Sequence, residues 1–322
     1  MSELQRAVSD GAFIDSVLPF AVETLHVRGR LARLGPALDR ILKRHAYPAP
    51  VARLIAEAAA LTAVLGAALK HQGRFQLQTR TDGAVDMLVV DYEAPDQLRA
   101  FARFDADRLA AAEKQGAHAS RQLLGRGHLA FTIEQGGDAA RYQGLVALEG
   151  EGLEAAAHDY FRQSEQIPTF VRLAVGQAFQ GRDDHWVSGA LLLQFLPQSE
   201  DRRRADLPPG DAPAGTAPAP ADDDDAWNEA RLLAGTVEDH ELLDPSLSGE
   251  RLLYRLFHER GVKVFQPQPL HDFCRCSDAG VSAMLRRFSQ EERQAMIGDD
   301  GKIGVTCEFC STKREYDPQE FD

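Results

Sequence analysis

Four cysteines constrain this chain more than any other feature: all fall between positions 274 and 310, and none precedes them. They stand as two short pairs, Cys274-Arg-Cys276 and Cys307-Glu-Phe-Cys310, with residues 277–306 between. A disulfide framework would spread cysteines through a small secreted fold. A tight cluster near the end of an otherwise cysteine-free chain points instead to metal or redox chemistry. Two thiolate pairs drawn together by an intervening fold make a tetrahedral four-sulfur site, the usual arrangement for structural zinc. Cys274, Cys276, Cys307 and Cys310 are therefore the expected ligands of a single Zn2+.

The residues between the pairs can close such a site. Val281, Met284, Leu285 and Phe288 fall at i, i+3, i+4 and i+7, which predicts one apolar helical face. Ser289-Gln-Glu-Glu292 spells a capping box for a second short helix ending at Gly298. Asp300-Gly301 then turns the chain into a strand over 302–306 that delivers Cys307. The Cys-x-Cys half departs from the wider spacing of permanent structural sites. A disulfide between residues two apart closes a small, strained ring, and strained bridges are the labile, regulatory kind. Zinc keeps sulfur as thiolate, the form that oxidants attack. Arg275 either favours the thiolate or is an ordinary exposed arginine. A unit over 261–322 has little apolar mass, below the size at which a core alone is secure. Structural zinc contributes roughly 10–16 kcal/mol in such modules, so its loss is expected to unfold this unit.

The remainder of the 322 residues reads as one α+β domain and a linker. Helix-like spacing covers Leu31–Lys43 and Val51–Leu69, on either side of Tyr47-Pro-Ala-Pro50. Alternating runs at Phe75–Thr79, Met87–Val90, His128–Ile133 and Tyr142–Leu148 predict strands, with turns at Asp82-Gly83 and Gly136-Gly137. A helix over Leu153–Gln166 and strands at Phe170–Val175 and Leu191–Leu196 complete a mainly antiparallel sheet domain. From Pro197 to Asp225 prolines, alanines and an Asp222–Asp225 run replace apolar residues, which predicts an extended, disordered piece. Helical patterning returns at Trp227–Leu233, Glu238–Leu243 and Leu252–His258, short of apolar mass and so marginal. The expected division is an N-terminal domain over 1–196, a disordered and helical linker over 197–260, and a small switch domain over 261–322.

A formal net charge of −13 argues against nucleic acid or an anionic membrane surface as partner. The N-terminus lacks a secretory layout, and the run Leu54–Leu69 carries Glu57 and falls short of a bilayer span of about 20 residues. A buried helix and a cytoplasmic protein are expected. Gly150-Glu-Gly152 spells a loose dinucleotide fingerprint, but no acidic residue closes the next strand. His271 and the pair His158-Asp159 read as solvated surface, without a partnered nucleophile, so no enzyme activity is expected. Two other readings of the cysteines stand beside the switch: a thiol-disulfide oxidoreductase using Cys307-x-x-Cys310, and a constitutive zinc-ribbon adaptor.

At these residues the chain resembles the heat-shock protein 33 family of bacterial redox-regulated holdase chaperones. The resemblance rests on the Cys-x-Cys and Cys-x-x-Cys pairs, Arg141–Gly150, Asp159–Thr169 and Leu252–Glu259. It implies an ATP-independent chaperone for unfolded or oxidatively damaged proteins, monomeric and inactive while reduced and zinc-bound. It also implies that oxidation pairs Cys274 with Cys276 and Cys307 with Cys310, expels zinc, unfolds the switch region and promotes homodimerisation. The Pro/Asp-rich insertion and Ser277-Asp-Ala-Gly280 after Cys276 depart from the family pattern.

Overall fold

Leu191-Leu192-Leu193 is a continuous apolar run, and a strand of that kind must be covered on both faces. The computed structural model, which describes residues 15–69, 72–116, 119–134, 141–180, 183–195 and 225–321, shows what covers it. The first sheet holds β1 (Ser16–Val22), β2 (Val27–Leu34) and, far along the chain, β8 (Thr169–Gln180) and β9 (Asp183–Phe195). The second holds β3 (Arg74–Thr81), β4 (Val85–Glu93), β5 (Gln97–Phe104), β6 (Arg126–Glu134) and β7 (Tyr142–Glu149). Three two-residue strands follow: β10 (Lys263–Val264) and β11 (Gln268–Pro269) pair with β1, and β12 (His271–Asp272) pairs with β5. The orders are β10-β1-β2-β9-β8 and β12-β5-β4-β3-β6-β7. Among the described pairings only β12 with β5 is parallel, so the α+β, mainly antiparallel expectation holds.

The helix Ala49–Gly66 lies between the two sheets. Its alanines keep it thin: Ala56, Ala58, Ala59, Ala60 and Ala63 are all fully buried, as are Leu54, Ile55 and Leu61. Gly66 is needed where a Cβ would stand 2.4 Å from the Tyr92 ring. This is the one helix among the described residues long and apolar enough to cross a membrane, and it is 78% buried inside the protein. Glu57, on the same helix, has its carboxyl pKa raised by burial, with Arg53 at 4.0 Å only partly offsetting this.

Three helices, Asp225–Gly235, Asp239–Leu243 and Gly249–Phe257, cover the outer face of the first sheet. Alternation on β9 divides the side chains: Ala190 and Leu192 join the central core, while Leu191 and Leu193 meet this outer layer. Leu252, Leu253, Leu256 and Phe257 pack there with Phe20 and Leu31, and the Phe20 and Phe257 rings lie 5.9 Å apart. Polar contacts fix the layer as well. Arg33 on β2 donates to the backbone carbonyls of Leu247 and Glu241, and Arg172 on β8 pairs with Asp239.

Two local expectations need correction. Leu31–Lys43 is not one helix: Leu31 and Leu34 belong to β2, and the helix is Pro36–Lys43, started after Gly35 with proline in its first turn. Apolar residues on a strand followed by a helix imitate a single i, i+3 stripe. His158 is not plain surface, because its Nε2 accepts the Val171 N–H at 2.8 Å, capping edge strand β8. The Pro/Asp-rich stretch up to 224 and the Gly136-Gly137 turn lie outside the described residues.

Candidate metal centre

The four cysteines lie at the end of a small module built on β13 (Ile303–Thr306) and β14 (Lys313–Tyr316), an antiparallel hairpin. Cys307 and Cys310 occupy its connection, where Cys307 N–H donates to Thr312 O and Ser311 N–H donates to Cys307 O, closing a tight knuckle. Ser311 adopts a left-handed φ of 55° to make that turn. Cys274 and Cys276 precede the helix Asp278–Leu285, whose first turn is capped by the Ser277 hydroxyl accepting from Gly280 N–H. The capping box at Ser289 forms and opens the helix Gln290–Ala295. The predicted apolar face is only partly used: Leu285 is buried and Val281 packs beside it, whereas Met284 is 42% exposed. Leu285, Ile303 and Tyr316 are the module's buried apolar side chains among the described residues.

All four Sγ atoms lie within 4.8 Å of one another, so the cluster could hold a metal ion. Cys274 Sγ is 3.6 Å from Cys307 Sγ, and Cys276 Sγ is 3.4 Å from Cys310 Sγ. Ligands at about 2.3 Å in a tetrahedron stand about 3.8 Å apart, so donor type and spacing fit a four-thiolate site. The cysteines are free thiols and half-buried. Burial and the neighbouring thiols of Cys310 and Cys274 push Cys276 up to about 12. Burial opposes the Cys310 thiolate too, but hydrogen bonds from Thr312, Cys276 and Cys307 outweigh it and bring Cys310 down to about 6.

The cation at the cluster is Arg314, which the sequence did not single out. Its Nη1 donates to Cys276 Sγ at 3.4 Å, while its Nε donates to Asp278 Oδ1 at 2.8 Å. Of the two readings of Arg275, its position favours the ordinary exposed arginine: it is 3.9 Å from Glu93. His271 stands on β12 and is 4.0 Å from Asp96. Cys307-x-x-Cys310 lies in a hairpin connection, not at the helix start that an oxidoreductase uses to lower a thiol pKa.

The module is fastened to the sheets by its own knuckle. The Phe309 ring, between the two cysteines of the second pair, lies under the Arg99 guanidinium (3.9 Å) and against Phe101 (6.1 Å). His45 bridges both sides, with Nε2 at 3.1 Å from Phe309 O and Nδ1 at 2.9 Å from Ser311 Oγ. Arg99 is held in turn by the buried Asp91, which also takes Arg74 and Gln76. Just before the first cysteine, Asp272 on β12 pairs with Arg40 and Arg44. His45 is one of ten histidines scattered along the chain, and no local spacing marks it.

The model of the Hsp33 protein family matches residues 15–317. A 33 kDa chaperonin of Caulobacter vibrioides is 42% identical over 313 residues, covering 97% of this chain and 98% of that protein. The 33 kDa chaperonin of Photorhabdus laumondii is 32% identical, covering 95% and 94% of the two chains. The crystal structure of the Thermotoga maritima 33 kDa chaperonin superposes with a TM-score of 0.71 at 16% identity, over 95% of this chain and 96% of that one. The fold is thus shared where sequence has diverged, and the match over almost every described residue leaves one assignment: this chain belongs to the Hsp33 family.

Proposed function

We propose that this Hsp33-family chaperone is an ATP-independent holdase, held inactive by one zinc ion on Cys274, Cys276, Cys307 and Cys310 and switched on by oxidation. The observation that carries the reading is a four-thiolate cluster in a module with so few buried apolar side chains of its own. Zinc, when bound, supplies the cross-link that this core does not. Cys274 with Cys276, and Cys307 with Cys310, each give two electrons to one peroxide. Two thiolates, two protons and one H2O2 become a disulfide and two waters. Sulfurs joined in this way no longer serve as metal ligands, and the knuckle loses its shape.

The outer helices supply the consequence. They cover Leu18, Phe20, Leu31, Leu191 and Leu193, an apolar sheet face that suits unfolded polypeptide. The chain runs from Phe257 through β10, β11 and β12 directly into Cys274, so loss of the module loosens the end of this cover. The functional division is 1–196 for the chaperone body, 197–260 for the cover and its insertion, and 261–322 for the switch. The reduced form is a monomer, the oxidised form a homodimer, and the setting is the cytoplasm. Peroxide treatment of the zinc-loaded chain tests this, with released metal and suppression of citrate synthase aggregation followed on one sample. Suppression before oxidation, or metal loss without suppression, contradicts the switch.

A further inference from the structure

The surface that receives Phe309 is built entirely by the body of the protein. Arg99 and Phe101 stand on β5, and His45 and Tyr47 follow the helix Pro36–Lys43. His45 and Tyr47 stack at 4.9 Å, Phe104 closes on Tyr47 at 6.3 Å, and Tyr47 Oη accepts the Ala102 N–H. The platform is therefore organised by contacts that do not involve the switch module. Its recognition elements are equally clear: a guanidinium over a ring face, an aromatic wall, and an imidazole that meets a main-chain carbonyl and a hydroxyl two residues on.

We propose that this platform is a second binding surface for unfolded polypeptide, and that Phe309-Cys-Ser311 occupies it in the resting protein as an internal substitute for a client. The occupant it fits is an exposed aromatic residue in an irregular stretch of chain, preferably with serine or threonine two positions later. Such residues are what an unfolding protein presents and a folded one hides. It is distinct from the sheet face under the helices Asp225–Phe257, since β5 belongs to the other sheet. The inference rests on the redox reading only for the event that frees the platform.

The test uses a fluorescein-labelled peptide, Thr-Ser-Glu-Phe-Ser-Ser-Thr-Lys, which copies 306–313 with both cysteines as serine. Anisotropy is measured on the reduced zinc-loaded chain, on the oxidised chain, and on a full-length chain carrying Cys307→Ser, Cys310→Ser and Phe309→Ala. The last frees the platform without any redox step. The expected result is no binding to the first and micromolar binding to the other two. Binding should weaken at least tenfold when the peptide's phenylalanine becomes alanine, and when Arg99→Ala or His45→Ala is added. Arg99→Ala leaves Asp91 with Arg74 and Gln76, and His45→Ala lies outside that network, so the pair guards against a folding defect. Absence of binding to the triple variant, or binding indifferent to the phenylalanine and to both substitutions, overturns the proposal. Should the oxidised chain keep its metal, the redox reading fails alone, and the triple variant still decides the platform.

Discussion

The Arg314 guanidinium lies 3.4 Å from the sulfur of Cys276 and is held there by Asp278, which its Nε reaches at 2.8 Å. Four thiolates on a divalent ion carry excess negative charge, and a hydrogen bond from a cation both offsets that charge and dulls the sulfur's nucleophilicity. Arg314→Leu should therefore speed peroxide-driven metal release by about three- to tenfold. Arg314→Lys should recover part of the protection, and Arg275→Leu should change little because Arg275 faces Glu93. A chromogenic zinc chelator reads the three rates directly.

Gly189 on β9 marks a close approach of the helix Asp239–Leu243 to the sheet, since an added Cβ would stand 3.0 Å from Leu242 O and 3.1 Å from Leu242 Cβ. Gly189→Val should lift this helix while leaving the cysteine cluster untouched. The expected outcome is partial holdase activity in the reduced, metal-loaded chain, with faster hydrogen exchange across 225–257. Unchanged exchange there would mean that the cover tolerates the bulk and is not poised at this contact.

Glu57 lends itself to a pH experiment. Burial raises its carboxyl pKa above the usual value of about 4.3. Between that value and its raised folded one, the native chain keeps a proton that the unfolded chain has released, so stability falls as pH rises through this window. Glu57→Gln removes the charge that must be buried above it. The variant should melt like the wild type near pH 4 and about 1–4 °C higher at pH 8. A variant that melts lower at pH 8 would mean that Ser120 and Arg53 together favour the carboxylate by more than burial opposes it.

Much of this was legible from the residues alone. The cysteine pairs, the Ser289 capping box and the three helices after 225 all carry local patterns that survive folding. Strand β5 was missed although Leu98, Ala100 and Ala102 alternate with Arg99, Phe101 and Arg103, because two of its buried positions are only alanine. Arg314 and Arg99 were invisible for a different reason. Each acts on a group distant in sequence, Cys276 in one case and Phe309 in the other, and one-dimensional spacing holds no record of such encounters. The misreading of Leu31–Lys43 shows the converse, a local pattern that spans two elements and imitates one.

Removal of the metal should separate the molecule into two stability classes. The sandwich has its helix Ala49–Gly66 buried between two sheets and needs no metal for its core. The module has Leu285, Ile303 and Tyr316, too little apolar burial to order the chain around them. Its other ties include the Arg293 guanidinium, which donates to the Phe288 and Phe321 carbonyls, the Phe309 pin on Arg99, and the His45 contacts with Phe309 O and Ser311 Oγ. The contacts of Phe309 and Ser311 depend on backbone held in place by the cysteine knuckle. Chelation under oxidising conditions should therefore abolish amide protection across 274–321, while β3 to β6 exchange as slowly as before. The outer helices should take an intermediate course, because Leu252, Leu253, Leu256 and Phe257 keep their own contacts with the first sheet but lose the anchored strand that follows them. Hydrogen exchange read by mass spectrometry resolves the three regions in one measurement. Protection of 274–321 that persists without metal would place the latch elsewhere.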